Sequence, residues 1–248
     1  MGFLKKIFGG SGLKEAIDYG LLVTDFHSHL IPGIDDGART IEDSLTMIRQ
    51  FKELGFKKLI TTPHIQDEYY KNTPEIILSG LETVKAAMDE AGIEIEIEAA
   101  AEYLLDDGFE KKLKSGELMT FGQKHILVEL SYFSPHPNLL TFIFELQLEG
   151  YQVILAHPER YSYWFNSLQK FDELKNRGVL FQLNTVSLSG HYGNEVKKIA
   201  EKLIDQGVYD FIGSDMHNQH YMNSFIRARF EKSLKKLMDS GKLKNNQL

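Results

Sequence analysis

One pattern recurs along nearly the whole chain. A short apolar run rich in branched residues ends in a polar or ionisable residue, and a longer stretch with helical periodicity follows. The runs lie at 21–26, 58–62, 93–101, 125–130, 152–156, 179–183 and 210–213, and they read as seven strands. Helical stretches read at 74–91, 138–148, 168–177, 194–206 and 223–240. After the first run, Thr40-Ile41-Glu42-Asp43 is a capping-box pattern, with a hydroxyl to accept an orphan N–H and a carboxylate three residues on. Ile41, Leu45, Ile48 and Phe51 then recur at spacings of three and four, giving one apolar face, and Gly55 supplies the stop. Gly92, Gly150, Gly178 and Gly207 each fall just past a helical stretch and just before a strand.

Strands alternating with helices predict a parallel sheet. Seven units in 248 residues favour a closed or nearly closed α/β barrel, which typically takes about 250 residues. Periodicity alone does not separate a barrel from an open sheet. The expected organisation is an N-terminal tail over 1–20 and a single domain over 21–248.

The net charge of −7 argues against sequence-independent binding to nucleic acid, which needs a basic surface. The chain has no cysteine, so disulfides, thiolate metal sites and a cysteine nucleophile are all impossible. The start, Met1-Gly2-Phe3-Leu4-Lys5-Lys6-Ile7-Phe8, lacks the roughly 7–15 apolar residues of a signal-peptide core. No stretch approaches the roughly 20 apolar residues of a spanning helix. Its blander reading is a frayed tail with a Gly9-Gly10-Ser11-Gly12 linker, and its sharper one is a weak membrane-surface or partner-docking foot.

The chemistry gathers at the ends of the strands. The first run ends in Asp25-Phe26-His27-Ser28-His29, with Asp35-Asp36-Gly37 soon after. Later runs end in Thr62-Pro63-His64, Ala101-Glu102, Glu129-Leu130-Ser131, Ala156-His157-Pro158-Glu159-Arg160, Asn184 and Ser214-Asp215-Met216-His217. In a parallel barrel every strand C-terminus lies on the face that carries the active site, so these side chains are expected to converge. His27 and His29, two apart on an extended chain, point the same way, and Asp215 and His217 repeat that spacing. Each piece alone has a plain structural reading as a packed histidine or a helix cap. Together they do not, because unpaired carboxylates beside apolar runs are costly to bury and a metal cluster satisfies all of them. Imidazole and carboxylate without sulfur suit Mn, Fe, Zn, Co or Ni.

These motifs resemble the polymerase and histidinol phosphatase (PHP) superfamily. Within it they are closest to the CpsB/CapC-type protein-tyrosine phosphatases of bacterial capsule and exopolysaccharide operons. The resemblance runs from about residue 21 to 240, and His27-Ser28-His29, Asp35-Asp36-Gly37 and Ser214-Asp215-Met216-His217-Asn218 carry it. It implies a distorted (β/α)7 TIM-like barrel with two or three divalent metal ions, Mn favoured. His27, His29, Glu102 and Asp215 would hold the first. Glu102 would bridge to a second, completed by Glu129 and His157, and Asp36, His64 and His217 would hold a third. Arg160 matches an arginine near the substrate phosphate, its alternative being an ion pair with Glu159. The implied substrate is phosphotyrosine on the tail of a bacterial tyrosine kinase that controls polysaccharide export. The implied location is cytoplasmic, membrane-proximal through that partner. After His217-Asn218, where relatives often carry Arg-Pro, this chain reads Gln219-His220-Tyr221-Met222-Asn223.

Metal ions can clamp a phosphate and activate water, whereas a chain without cysteine cannot attack phosphotyrosine with a thiolate. Asp25 and Asp35 are candidates to orient ligand imidazoles, and Asn184 reads as either a pocket group or a cap. The aromatic run Tyr161, Tyr163, Trp164 and Phe165 reads as a substrate-stacking surface or as loop packing. His125, His136, His191 and His220 match no ligand motif. Competing functions are a small-molecule phosphatase of the histidinol phosphate kind, a phosphodiesterase, and a non-catalytic metal-bound docking module.

Overall fold

The computed structural model describes residues 12–248. The N-terminal foot expected at residues 1–8, and its linker as far as Ser11, lie outside the described residues. In chain order come β1 (Thr24–Asp25), α1 (Ile41–Glu53), β2 (Lys58–Thr61), β3 (His64–Ile65), α2 (Pro74–Glu90), β4 (Glu96–Ala99), β5 (Glu102–Leu104) and α3 (Phe109–Ser115). Then follow β6 (His125–Glu129), α4 (Leu139–Leu148), β7 (Gln152–Ala156), α5 (Gln169–Asn176), β8 (Leu180–Asn184), α6 (Thr185–Leu188), α7 (Asn194–Gln206), β9 (Phe211–Gly213), α8 (Gln219–Ala228) and α9 (Lys232–Asp239).

All strand pairs are parallel, in the orders β1-β2-β4 and β3-β5-β6-β7-β8-β9. The two sheets are one sheet interrupted. Thr61 pairs with Ala99 and His64 with Glu102, so both strands skip two residues in step and resume in the same register. Pro63, with no N–H to give a ladder, sits in the gap, and its carbonyl accepts from Glu102 N at 3.1 Å. Nine short strands thus occupy seven positions. A parallel bridge between Ser28 and Met216 joins the last position to the first, where His29 N donates to the Met216 carbonyl at 2.8 Å. The α/β barrel expected from the alternation is the architecture found.

The capping box at Thr40 forms as expected: Thr40 Oγ1 accepts from Asp43 N at 3.2 Å and Asp43 Oδ2 from Thr40 N at 3.1 Å. Met47, Ile48 and Phe51 bury the inner face of α1. Inside the ring, Phe26, Ile60, Ala100, Leu127, Ile154 and Phe211 form one apolar cluster, with Phe121 and the C-terminal Leu248 packed into it. Burying each large side chain stabilises the fold by about 1.5–3 kcal/mol. Side chains two apart on a strand share a face. Leu127 therefore puts Glu129 on the inner face above the cluster, and Ala100, in the gap between β4 and β5, packs into the cluster just before Glu102.

Two expectations change. The helix read at 223–240 is two helices, α8 and α9, broken at 229–231. The break is filled by the chain's own N-terminal segment, where Leu13 N donates to the Phe230 carbonyl at 2.8 Å and Ile17 N to the Arg229 carbonyl at 2.9 Å. That segment was expected within a tail over 1–20. From Leu13 onward it is built into the fold: Tyr19 is fully buried and stacks on Phe225 with ring centroids 4.3 Å apart.

Candidate metal centre and active site

The ends of the strands deliver their side chains to one cleft of about 160 Å³, lined by Asp36, His64, Glu129, His157, Asp215 and His217 among others. His27, His29, Glu102 and Asp215 are all buried beneath it. Three groupings have ligand atoms mutually within 4.8 Å: His27, His29, Glu102 and Asp215; His29, Asp36, His64 and His217; and His64, Glu102 and Glu129. His27 Nε2 lies 3.1 Å from Glu102 Oε2 and 3.2 Å from Asp215 Oδ1. His29 Nε2 lies 3.6 and 3.5 Å from the same two oxygens. His157 Nε2 reaches Glu102 Oε1 at 3.1 Å. His64 faces two ways, with Nδ1 at 3.2 Å from both Glu102 Oε2 and Glu129 Oε1 and Nε2 at 3.5 Å from Asp36 Oδ1. His217 Nε2 lies 3.4 Å from Asp36 Oδ1.

Close approach without mutual bonding is the telling feature. His27 Nε2, His29 Nε2, His64 Nδ1 and Glu102 Oε2 are buried and make no well-directed hydrogen bond, although the nearest partners stand at 3.1–3.6 Å. Their ligand atoms gather within 4.8 Å of one another in the groupings above, an arrangement that a shared metal ion would satisfy. Buried polar atoms left this way are otherwise expensive.

Neighbouring groups set which nitrogen faces inward. His29 Nδ1 lies 2.7 Å from Asp35 Oδ2, His27 Nδ1 lies 3.0 Å from Gln182 Oε1, and His217 Nδ1 lies 2.8 Å from the Asp215 carbonyl. Each partner accepts the Nδ1 proton and leaves Nε2 as the free donor of a lone pair. Asp35 thus takes the orienting role expected of it. Asp25 does not: its carboxylate accepts from Ser214 N at 2.9 Å and Ser214 Oγ at 3.0 Å, securing the end of β9 instead of an imidazole. Gln182 fills the place expected of Asp25 and also accepts from His157 N at 3.3 Å. Its signal in the sequence was a lone amide inside the apolar run 179–183.

Electrostatics follow the same geometry. Burial pulls His27 down, yet Glu102 and Asp215 together raise it well above the usual imidazole range. Burial lifts Glu102 and Asp215, but His27 and its neighbours hold both well below the carboxylate range. His157 is the exception. Burial, and then the Arg160 charge, keep it below the usual value.

His157 and Asp215 both adopt left-handed backbone conformations, with φ 36° and 51°. Such strain costs roughly 1–3 kcal/mol per residue and persists where surrounding structure enforces it. Here it turns each side chain off the end of its strand into the cluster. The 215–217 stretch is therefore not the extended repeat of 27–29 that its spacing suggested.

Arg160 does not pair with Glu159. Its Nη1 donates to Asp215 Oδ2 at 2.9 Å, and it lines the cleft. Glu159 points away and accepts from Asn184 N, Ser187 Oγ and Tyr209 OH at 3.0, 2.8 and 3.0 Å. Asn184 fills both roles considered for it, capping α6 through Val186 N at 2.9 Å and donating to Asp215 Oδ2 at 2.7 Å. The aromatic run packs as a loop: Tyr161 is fully buried and Trp164 stands edge-on to Phe171. The aromatic side chains in the cleft are instead Tyr70 and Tyr132, which did not stand out in the sequence, and Tyr221 from the stretch after Asn218. Tyr221 lies in the 219–223 stretch, on the first turn of α8, where Asn218 Oδ1 accepts from Tyr221 N at 3.4 Å. His125, His136, His191 and His220 stand outside the three ligand groupings, and so does His157, which meets Glu102 Oε1 while His64 takes the place expected of it beside Glu102 and Glu129.

The family described as "Capsular polysaccharide synthesis, CpsB/CapC" matches residues 23–242. The chain belongs to the CpsB/CapC family. Among its relatives, the tyrosine-protein phosphatase YwqE of Bacillus subtilis is 28% identical over 195 residues, covering 78% of this chain and 77% of YwqE. The tyrosine-protein phosphatase CpsB of Streptococcus agalactiae is 26% identical over 230 residues, covering 90% and 93%. In three dimensions the chain matches one from the crystal structures of YwqE and of CpsB from Streptococcus pneumoniae, described as unique metal-dependent tyrosine phosphatases. That match has a TM-score of 0.79 and 26% identity over 90% of this chain and 89% of that one. Histidinol phosphate phosphatase from Lactococcus lactis shares the fold, with a TM-score of 0.57 at 13% identity over 88% and 93%. Among the described residues no helix is long and apolar enough to cross a membrane.

Proposed function

We propose that this CpsB/CapC member is a metal-dependent protein-tyrosine phosphatase acting on a bacterial tyrosine kinase in polysaccharide export. The observation that carries the reading is the set of buried ligand atoms without hydrogen-bond partners on His27, His29, His64 and Glu102, beneath a cleft with an arginine in its wall. Membership of the family, and the names its relatives carry, support phosphotyrosine as the substrate.

In this reading His27, His29, Glu102 and Asp215 would hold one metal ion, Glu102 would also serve a second with Glu129 and His157, and Asp36, His64 and His217 would hold a third. Manganese suits the oxygen and imidazole donors. Metal ions in such a cluster supply Lewis-acid charge to a phosphate and a nucleophile drawn from water. The chain does the rest. Asp35, Gln182 and the Asp215 carbonyl hold the imidazole tautomers. Arg160 offers guanidinium N–H groups to the phosphate oxygens and stabilises charge in the transition state. The phenolate of tyrosine, with a pKa of about 10, leaves without a strong acid beside it. The kinase tail would be met in the cytoplasm, where ATP-dependent phosphorylation takes place.

Turnover of a phosphotyrosyl peptide, a phosphoseryl peptide and histidinol phosphate by the Mn²⁺-loaded protein tests the substrate. The phosphotyrosyl peptide is expected to give by far the highest kcat/KM. Preference for histidinol phosphate would assign the same metal chemistry to a small molecule.

A further inference from the structure

The guanidinium of Arg160 lies between two tyrosine rings. Its central carbon stands 4.6 Å from the Tyr132 ring centroid and 4.2 Å from that of Tyr192. Tyr132 comes from the loop after β6, and Tyr192 from the loop between α6 and α7. Gly190 and Gly193, at φ 79° and 93°, bracket Tyr192 and allow that loop its tight turns. Nothing in the sequence pattern linked these three residues.

A second set of contacts closes the arrangement into a ring. Arg160 Nη1 donates to Asp215 Oδ2 at 2.9 Å. Asn184 Nδ2 donates to the same oxygen at 2.7 Å and to Tyr192 OH at 3.2 Å. Tyr192 then returns to Arg160 through its ring face. The guanidinium side chain is only 18% exposed, so the two aromatic faces substitute for much of the water it has lost. Cation–π attraction is strongest when the ion is desolvated in this way.

We propose that Tyr132 and Tyr192 are positioning residues that clamp the Arg160 guanidinium so that its remaining N–H groups face the substrate phosphate. This rests on the reading of Arg160 as a phosphate ligand. A free arginine side chain samples many rotamers, and ordering it on binding costs free energy. A guanidinium held by two rings and one carboxylate oxygen is ordered beforehand, and this contributes to phosphate affinity. Asp215 Oδ2 limits in-plane swing, while the rings limit tilt.

The test is direct binding of inorganic phosphate to the Mn²⁺-loaded protein by calorimetry, with bound metal measured on the same samples. Tyr192→Leu and Tyr132→Leu are each expected to weaken phosphate about fivefold or more at unchanged metal content. Tyr192→Phe keeps the ring and is expected to bind within about twofold of the parent. The same leucine variants should raise KM for a phosphotyrosyl peptide. Either leucine variant binding phosphate as the parent does, with its metal in place, overturns the clamp. Arg160→Lys separates the two ideas. If it too leaves phosphate affinity unchanged, the role of Arg160 itself is wrong. If it weakens binding while the leucine variants do not, only the clamp fails.

Discussion

Asp35 Oδ2 lies 2.7 Å from His29 Nδ1 and also accepts the backbone N–H of His64 at 3.1 Å. One carboxylate therefore orients one imidazole and fixes the backbone of another. Its contacts with His29 hold Asp35 well below the usual carboxylate range although burial alone would raise it. Asp35→Ala is expected to weaken metal binding about 10- to 100-fold. Competition with a chelator of known affinity measures it, and unchanged affinity would show that Asp35 serves the loop alone.

Glu102 lies at the hub of the cluster. Its Oε2 faces His27, His29 and His64 at 3.1, 3.6 and 3.2 Å, and its Oε1 faces His157 at 3.1 Å. Glu102→Gln keeps the shape and removes the charge. Elemental analysis should show fewer metal ions per chain, and activity should fall by more than the roughly 100-fold that the loss of a supporting partner brings. Full metal content in this variant would remove Glu102 from the ligand set.

Arg160→Ala removes the only guanidinium lining the cleft among the described residues. The expected loss is about 100-fold in kcat/KM for a phosphotyrosyl peptide, with metal content retained. Steady-state kinetics on the Mn²⁺-loaded variant reads this directly. An unchanged kcat/KM would leave Arg160 as a support for Asp215 and no more.

Much of this was legible in the sequence because chemistry and fold share a period. Leu127 and Glu129 are two apart on β6, so packing and ligation occupy one face of one strand. The capping box at Thr40 was readable for a similar reason, being complete within four residues. What the sequence concealed depends on contacts across distant segments. Gln182 touches His27 from 155 residues away, and only the closed ring brings them together. The break between α8 and α9 depends on Leu13 and Ile17 arriving from the other end of the chain. Tyr132 and Tyr192 sit in different loops, and no spacing links them to Arg160.

Glu159 gives a prediction in pH. Burial raises its carboxyl from 4.5 to about 7 against the hydrogen bonds it accepts. The folded state therefore holds a proton there that the unfolded chain releases between those values. Stability from this group falls as pH rises from about 4.5 to about 7 and is level above that. Glu159→Gln keeps an acceptor for Asn184 N and Ser187 Oγ and abolishes the titration. Tm of the parent relative to the variant should decline by about 2–4 °C or more across that window, as thermal melts at stepped pH would show. A constant difference would mean that Glu159 stays charged.

Hydrolysis of phosphotyrosine by this chain is expected to depend on metal ions held by the strand-end cluster. The most direct measurement is phosphotyrosyl-peptide turnover after prolonged dialysis against excess chelator, followed by addition of Mn²⁺. The expected result is loss of activity on dialysis and its return with Mn²⁺ in the parent, with little return in Glu102→Gln. Full activity in the presence of excess chelator would contradict it.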